Sequence, residues 1–357
     1  MEFLRALACL MVVYCHVFAR PPIALGQPWA PGTALTDYVL NPLGIIQNFG
    51  FLGVALFFLI SGFIVTHTGL TESRFSFLVK RVFRIYPALI VTVVGTILLV
   101  NYAVSIGMTD GSMGIGYVSA TLAAFGFEAG FTKNSLIGVS WTISIELFFY
   151  GVMLILLPLL KRSPAWCMAI ILVVCAIGAG SRVLTPDILH KTITHIFAYM
   201  PIFVIGMSIY FYWSDRIKLN VAIVFGVASF GTYLFGNACV HPEQIELSAL
   251  HPAQVVYAAA IFLAVLWYYG KQNVSNGRIT KFFAGISYSL YLIHVQLSIF
   301  LSYVLFPFLG LTLTMLASFA ACVVLSYAMQ LLVEKPAQKV GRKLLIKHAQ
   351  WRGLAAA

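Results

Sequence analysis

Ionisable side chains inside long apolar runs are the residues of this sequence best placed to do chemistry, because hydrocarbon tolerates them only when they are paired or used. Arg5 and His16 come first. They are eleven residues apart, three helical turns plus about 20°, so on a helix they share one face, about 16 Å apart along the axis. Alone, Arg5 reads as an interfacial anchor and His16 as a hydrogen bond within a bundle. Their common face favours a working pair, since imidazole can take the proton of a hydroxyl near neutral pH.

Lys80-Arg81-Val82-Phe83-Arg84-Ile85-Tyr86-Pro87 is the second place. Arg81 and Arg84, three apart, share a helical face. Pro87 disfavours helix at Tyr86 and suits the first turn of a new one, which predicts a short interfacial helix leading into a span. Two guanidinium forks beside a helix start suit a phosphate, and plain anchoring at the membrane edge explains the same residues. Third is Glu146, in the run from Ser140 to Tyr150, with Thr142 and Tyr150 on its face. A carboxylate there needs a cation, hydrogen bonds or a proton. A structural pairing and a catalytic or acceptor-binding role both fit. Fourth, His294 follows Ser287 and Tyr291 in a polar stripe, which fits internal hydrogen bonding as well as a second base. Glu334, in Glu334-Lys335-Pro336, has many basic neighbours with which to pair.

His241, Glu243, Glu246 and His251 crowd one loop, and His190 and His195 stand in another. Their spacing matches no zinc pattern such as His-Glu-x-x-His, and no metal is expected.

The elements that must carry these groups are membrane helices. Sixty-one per cent of the 357 residues are hydrophobic, 9% are charged and mean hydropathy is +0.94, against about 25% charged in a soluble domain. This is too much apolar surface for one soluble core. Apolar runs occur near 3–20, 45–66, 86–105, 139–160, 165–182, 196–213, 219–236, 254–270, 283–305 and 309–333, which predicts an all-α polytopic bundle of ten spans. A short glycine-rich stretch, 115–131, is an eleventh span or a re-entrant piece.

With ten spans and a cytoplasmic N-terminus, the 22 Lys and Arg divide 18 inside to 4 outside, the four being Arg20, Lys133, Arg182 and Lys191. An eleventh span spoils that division, so 106–138 is expected to be an outer excursion. Both termini are then cytoplasmic, and 1–357 is one membrane domain with a basic tail at 337–357. The net charge of +11 lies in short loops, which argues against nucleic acid. Cys9, Cys15, Cys167, Cys175 and Cys322 fall in apolar runs and Cys239 in a loop, so no disulfide framework is expected. A cleavage site at Val17-Phe18-Ala19 would make the start a leader peptide, but its polar residues suit a working helix better.

These residues resemble the acyltransferase 3 family of membrane proteins. Arg5-Ala6-Leu7-Ala8 with His16 is similar to its opening signature. Phe57 to Phe63 is similar to its second-helix motif, and Arg81-x-x-Arg84 to its Arg-x-x-Arg motif. Ser140-Trp141 through Glu146 to Phe149-Tyr150, then Ile286 to His294, then Glu334-Lys335-Pro336 complete the order over nearly the whole chain. The resemblance implies transfer of an acyl group, usually acetyl, from acyl-CoA to a sugar hydroxyl of a glycan or lipid-linked acceptor, in a bacterial inner membrane. Arg5, Arg81 and Arg84 are then expected to hold the CoA phosphates. His16 is expected to be the base, with Glu146 and His294 as further catalytic candidates, and Trp141, Tyr150 and Tyr291 to bind substrate. Some relatives carry a further hydrolase-like domain; the chain stops soon after Glu334, so transfer is expected within the membrane domain. Direct transfer and an acyl-enzyme both stay open; Cys15 adjoins His16, but neighbours on a helix point about 100° apart, which makes the covalent route the less favoured one. The rival reading is an ion-coupled transporter or flippase, whose intramembrane charges look alike. No repeated halves support it.

Overall fold

A computed structural model describes residues 1–108, 139–181, 188–240, 245–272, 276–351 and 353. The stretch 115–131 lies outside them, as do His241 and Glu243. Among the described residues the chain is helical throughout, with no strand. Helix α1 (Glu2–Tyr14) runs on through a π-helical turn, Cys15–Ala19, into Arg20–Ala24. Then come α2 (Gly50–Thr71), α3 (Arg74–Ser105), α4 (Ser140–Arg162), α5 (Pro164–Gly180), α6 (Ile188–Tyr199), α7 (Pro201–Trp213), α8 (Leu219–Val240) and α9 (Ile245–Gln272). The chain closes with α10 (Arg278–Met329), a π-helical turn Gln330–Glu334, and α11 (Lys335–Trp351).

Eight described helical stretches are long and apolar enough to cross a bilayer. Helix α5 has 17 residues and is apolar but shorter. The run from Arg278 onward holds two of the predicted spans. Gly310, at φ 67° and ψ 175°, breaks α10 between them. The two limbs fold back on each other: Ser289 meets Glu334, and Cys322 Sγ lies 3.9 Å from the His294 carbonyl. Glycine allows that positive φ without a Cβ clash. Each predicted apolar run therefore has a helical counterpart.

Pro87 does not start a helix. Arg74 to Ser105 is continuous, opened by Ser73, whose hydroxyl accepts from the Ser76 amide at 3.2 Å. Proline removes one backbone bond and crowds the carbonyl four residues back, a cost that neighbouring polar groups offset within a bundle. The carbonyl left without its helical donor is that of Phe83; two residues on, the Tyr288 hydroxyl donates to the Ile85 carbonyl at 2.9 Å, a contact across the bundle that ties this part of α3 to α10.

Helix α2 is apolar all round and is buried on most of its surface by α1, α4, α7 and α9. Its backbone touches α7 through paired glycines. A Cβ on Gly62 would lie 2.0 Å from the Phe203 carbonyl oxygen, and one on Gly206 2.2 Å from that of Leu59. Small residues let membrane helices approach this closely. Gly62→Val is expected to destabilise the protein by about 3 kcal/mol or more, above the usual overpacking cost because backbone cannot yield. Gly95→Ala, with nothing within 4 Å of the added carbon, is expected to be neutral. Melting of both variants in detergent checks this.

The basic segments gather at one end of the bundle. Lys80 pairs with Glu72 at 2.7 Å, and Lys161 donates to the Glu72 carbonyl at 2.7 Å. Arg74 reaches the Ile155 carbonyl at 3.1 Å, Asn276 donates to Glu2 at 2.9 Å, and Phe75 stacks on His348 at 4.2 Å. Glu334 does not join a surface ion pair. The π-helical turn aims it inward, where it is 5% exposed and accepts from Ser289.

Candidate active site

Helices α1, α2, α3, α4 and α10 enclose a cavity with about 800 Å³ of empty volume, counting the part open to solvent. Arg5, Arg81, Arg84, Glu146, Tyr150 and Tyr291 all line it, together with Ser61, Thr142, Ser287 and Tyr288. Eight residues singled out in the sequence, Thr142 and Ser287 among them, thus share one chamber, although they come from four helices.

Its electrostatics are one-sided. Arg5 Nη2 donates to the Ser287 hydroxyl at 3.0 Å. Arg81 is 8% exposed; its Nη2 donates to Thr68 at 2.7 Å, and its guanidinium sits 5.2 Å and 5.0 Å from the ring centres of Phe77 and Tyr150. Its Nε is buried with no partner. Arg84 lies half-buried one turn along, where the three-residue spacing predicts, and makes no hydrogen bond to a described residue. The sole ion pair among the described residues is Lys80–Glu72, so none of the three guanidiniums is matched by a carboxylate within 4.0 Å. Glu146 is held by hydroxyls instead, accepting from Ser61 at 3.0 Å and from Tyr150. Guanidinium forks without a carboxylate partner in a low-dielectric chamber are strong anion donors.

Removing Glu146 tests that hydroxyl cage. Glu146→Ala leaves the Ser61 and Tyr150 hydroxyls without their acceptor and is expected to cost about 1–3 kcal/mol. Glu146→Gln keeps an acceptor oxygen and is expected to cost less. The difference is read as two melting temperatures.

The histidines stand beyond the chamber, joined to it by Tyr291. The Tyr291 hydroxyl lies 2.6 Å from that of Thr142, and its ring centre is 5.9 Å from His294. His294 is fully buried, and its Nε2 lies 3.3 Å from His16 Nδ1. His16 Nδ1 is also 3.0 Å from the Val12 carbonyl, and His294 Nδ1 is 3.0 Å from that of Leu290. Carbonyls only accept, so the hydrogen-bond network assigns a proton to each Nδ1. His294 Nε2 then accepts from His16, and His16 Nε2 keeps its lone pair, as a general base requires. Arg5 and His16 do share a face, and both meet α10. The π-helical turn at His16 adds a residue to the turn, a feature frequent at functional sites. Cys15 points elsewhere, toward Gly50, whose added Cβ would sit 3.0 Å from its sulfur.

His16, His294 and Trp141 do not line the chamber. Trp141 packs on Tyr199 at 5.5 Å and on Phe58 at 6.4 Å. Ser61 and Tyr288 were not singled out from sequence as site residues. For Ser61 the signal was a hydroxyl in the middle of the most apolar span. Among the described residues no three His, Cys, Asp or Glu side chains group as metal ligands.

The profile of the acyltransferase domain matches residues 1–331. The chain belongs to the acyltransferase 3 family. This family member is 30% identical over 197 residues to Nodulation protein 10 of Rhizobium leguminosarum bv. viciae, a match covering 51% of this chain and 50% of that one. It thus spans about half the length of that curated relative. No solved structure matches. The chain is an integral membrane protein by its family and its apolar helices.

Proposed function

We propose that this acyltransferase moves an acyl group, acetyl by family habit, from acyl-CoA to a sugar hydroxyl of a cell-surface or secreted glycan, in a bacterial inner membrane. The observation that carries the reading is the convergence of Arg5, Arg81 and Arg84, unmatched by carboxylates, on one chamber whose lining residue Tyr291 stands beside the His294–His16 pair. The division of Lys and Arg puts the arginine end in the cytoplasm, where acyl-CoA is made. There the guanidiniums hold the CoA phosphates, and the flexible arm carries the thioester toward the histidines.

The sugar hydroxyl then loses its proton to His16 Nε2 as its oxygen attacks the thioester carbon. The carbon–sulfur bond breaks, the ester forms, and the CoA thiolate takes the proton back from the imidazolium. His294 holds the His16 ring in the required tautomer. Glu146 orients the reacting groups with Tyr150, while Tyr291 bounds the path of the substrate; Trp141, packed on Tyr199 and Phe58, supports the wall from behind. The nodulation protein's name gives no acceptor, so the acceptor is proposed only as a class.

Thiol release from acetyl-CoA by the detergent-purified protein, with and without sugar acceptors, tests the reading. Thioester consumption supports it. A protein that neither binds nor consumes acetyl-CoA overturns it in favour of a carrier.

A further inference from the structure

A second chamber opens at the end of the bundle opposite the arginines. It holds about 840 Å³ of empty volume, counting open solvent. It lies between the end of α1 and the segment that leads into α2. Tyr14, Phe18 and Trp29 form a row of rings along it: Tyr14 stacks on Phe18 at 6.0 Å and 16°, and Phe18 on Trp29 at 6.2 Å and 28°. Tyr14 and Phe18 bracket His16 in sequence, four residues apart, so the shelf is built on the turn that carries the base.

Facing the shelf are Gln27, Asp37 and Asn48. The Asn48 carbonyl oxygen accepts from Thr36 at 3.4 Å, while Gln27 and Asp37 make no side-chain hydrogen bond to a described residue. Gln47, Asn48 and Phe49 all have positive φ, at 52°, 47° and 69°. Three consecutive non-glycine residues in the left-handed region are uncommon, and such backbone persists where the surroundings hold it. Phe49 packs edge-on against Tyr14 at 6.0 Å, which ties this segment to the shelf.

We propose that this chamber binds a neutral sugar ring of the acceptor and so presents its neighbouring hydroxyl at the His16 turn. The inference rests on the O-acyltransferase reading above and adds a binding site to it. The chemistry selects the ligand class. A pyranose has an apolar face of C–H groups, positively polarised, that suits the negative face of an aromatic ring. Its rim of hydroxyls suits a carboxylate and two amides. A phosphate headgroup fits badly: among the described residues no lysine or arginine lines the chamber, and Asp37 would repel it.

The test uses intact cells of the native host, with the gene deleted and then restored as wild type, Trp29→Ala, Trp29→Tyr or Asp37→Asn. The readout is the rate at which alkali-labile acyl groups accumulate on cell-surface and secreted saccharide after induction, at equal protein level. Asp37→Asn is expected to slow it about tenfold or more, because a charged acceptor makes the stronger hydrogen bonds. Trp29→Ala is expected to slow it about tenfold through lost stacking, and Trp29→Tyr to recover most of the rate. Stabilisation of each purified variant by acetyl-CoA should match wild type, since the donor chamber is untouched. If Trp29→Ala loses that stabilisation, it is misfolded, and Asp37→Asn, an exposed side chain, decides alone. Wild-type rates in Asp37→Asn and Trp29→Ala overturn the sugar site and leave the chamber to lipid. If deletion and wild type accumulate the same acyl groups, it is the O-acyltransferase reading that fails, and the site falls with it.

Discussion

Replacing His16 with alanine is expected to lower acyl transfer by about 10²–10⁴-fold while acetyl-CoA still binds, the range that loss of a positioned general base produces. The geometry makes the split between the two readouts sharp. His16 lies outside the arginine-lined chamber, so its removal leaves every chamber-lining group in place. What is lost is the lone pair at Nε2, which the bonds from Nδ1 to the Val12 carbonyl and toward His294 leave available. His294→Ala removes the ring that accepts from His16 and is expected to lower the rate less steeply, with a changed pH–rate profile, because the His16 tautomer is then held by Val12 alone. Stopped turnover with unchanged donor binding supports the assignment. Full activity in His16→Ala sinks it and moves the search to His294 and Glu146.

The second large effect is expected on binding. Arg81→Ala with Arg84→Ala should weaken acetyl-CoA binding by about 10²-fold or more, since each hydrogen bond to a charged group is worth about 1.5–3 kcal/mol. Their loss should raise KM for the donor far more than it lowers kcat, because phosphates distant from the thioester are held equally in ground and transition states. Arg84→Ala is the cleaner single variant. Arg81 also bonds Thr68 and lies over Phe77 and Tyr150, so its removal disturbs packing, whereas Arg84 makes no hydrogen bond to a described residue. Arg81→Lys is not expected to rescue, as an ammonium has no planar fork. Isothermal titration in nanodiscs measures both. Unchanged affinity in the double variant would place the CoA phosphates elsewhere.

Several features were legible in the residues themselves. Hydropathy summed along the chain gave the apolar runs, each with a helix in the structure, and the cost of charge in hydrocarbon marked Arg5, His16, Glu146 and His294. Helical spacing put Arg81 with Arg84, and Thr142 and Tyr150 with Glu146, and these five line one chamber. All of these are local or additive properties, carried by a residue type and its neighbours within a few turns.

Tertiary structure decided the rest. Pro87 reads as a helix start from its backbone preferences, yet it sits inside α3 because contacts across the bundle outweigh a local cost. Glu334 reads as a partner for nearby cations, yet a π-helical turn rotates it onto Ser289, 45 residues away in sequence. That Glu146 is held by Ser61 and Tyr150, leaving three guanidiniums without a carboxylate partner, depends on how α1, α2, α3, α4 and α10 are rotated against each other. So does the pairing of His16 with His294, 278 residues apart. Helix rotation is set by side-chain packing and by close glycine contacts such as Gly62 on Phe203, which are pairwise and long-range. One-dimensional patterns therefore identify the reactive groups, while their partners follow only once the packed helices bring distant residues together.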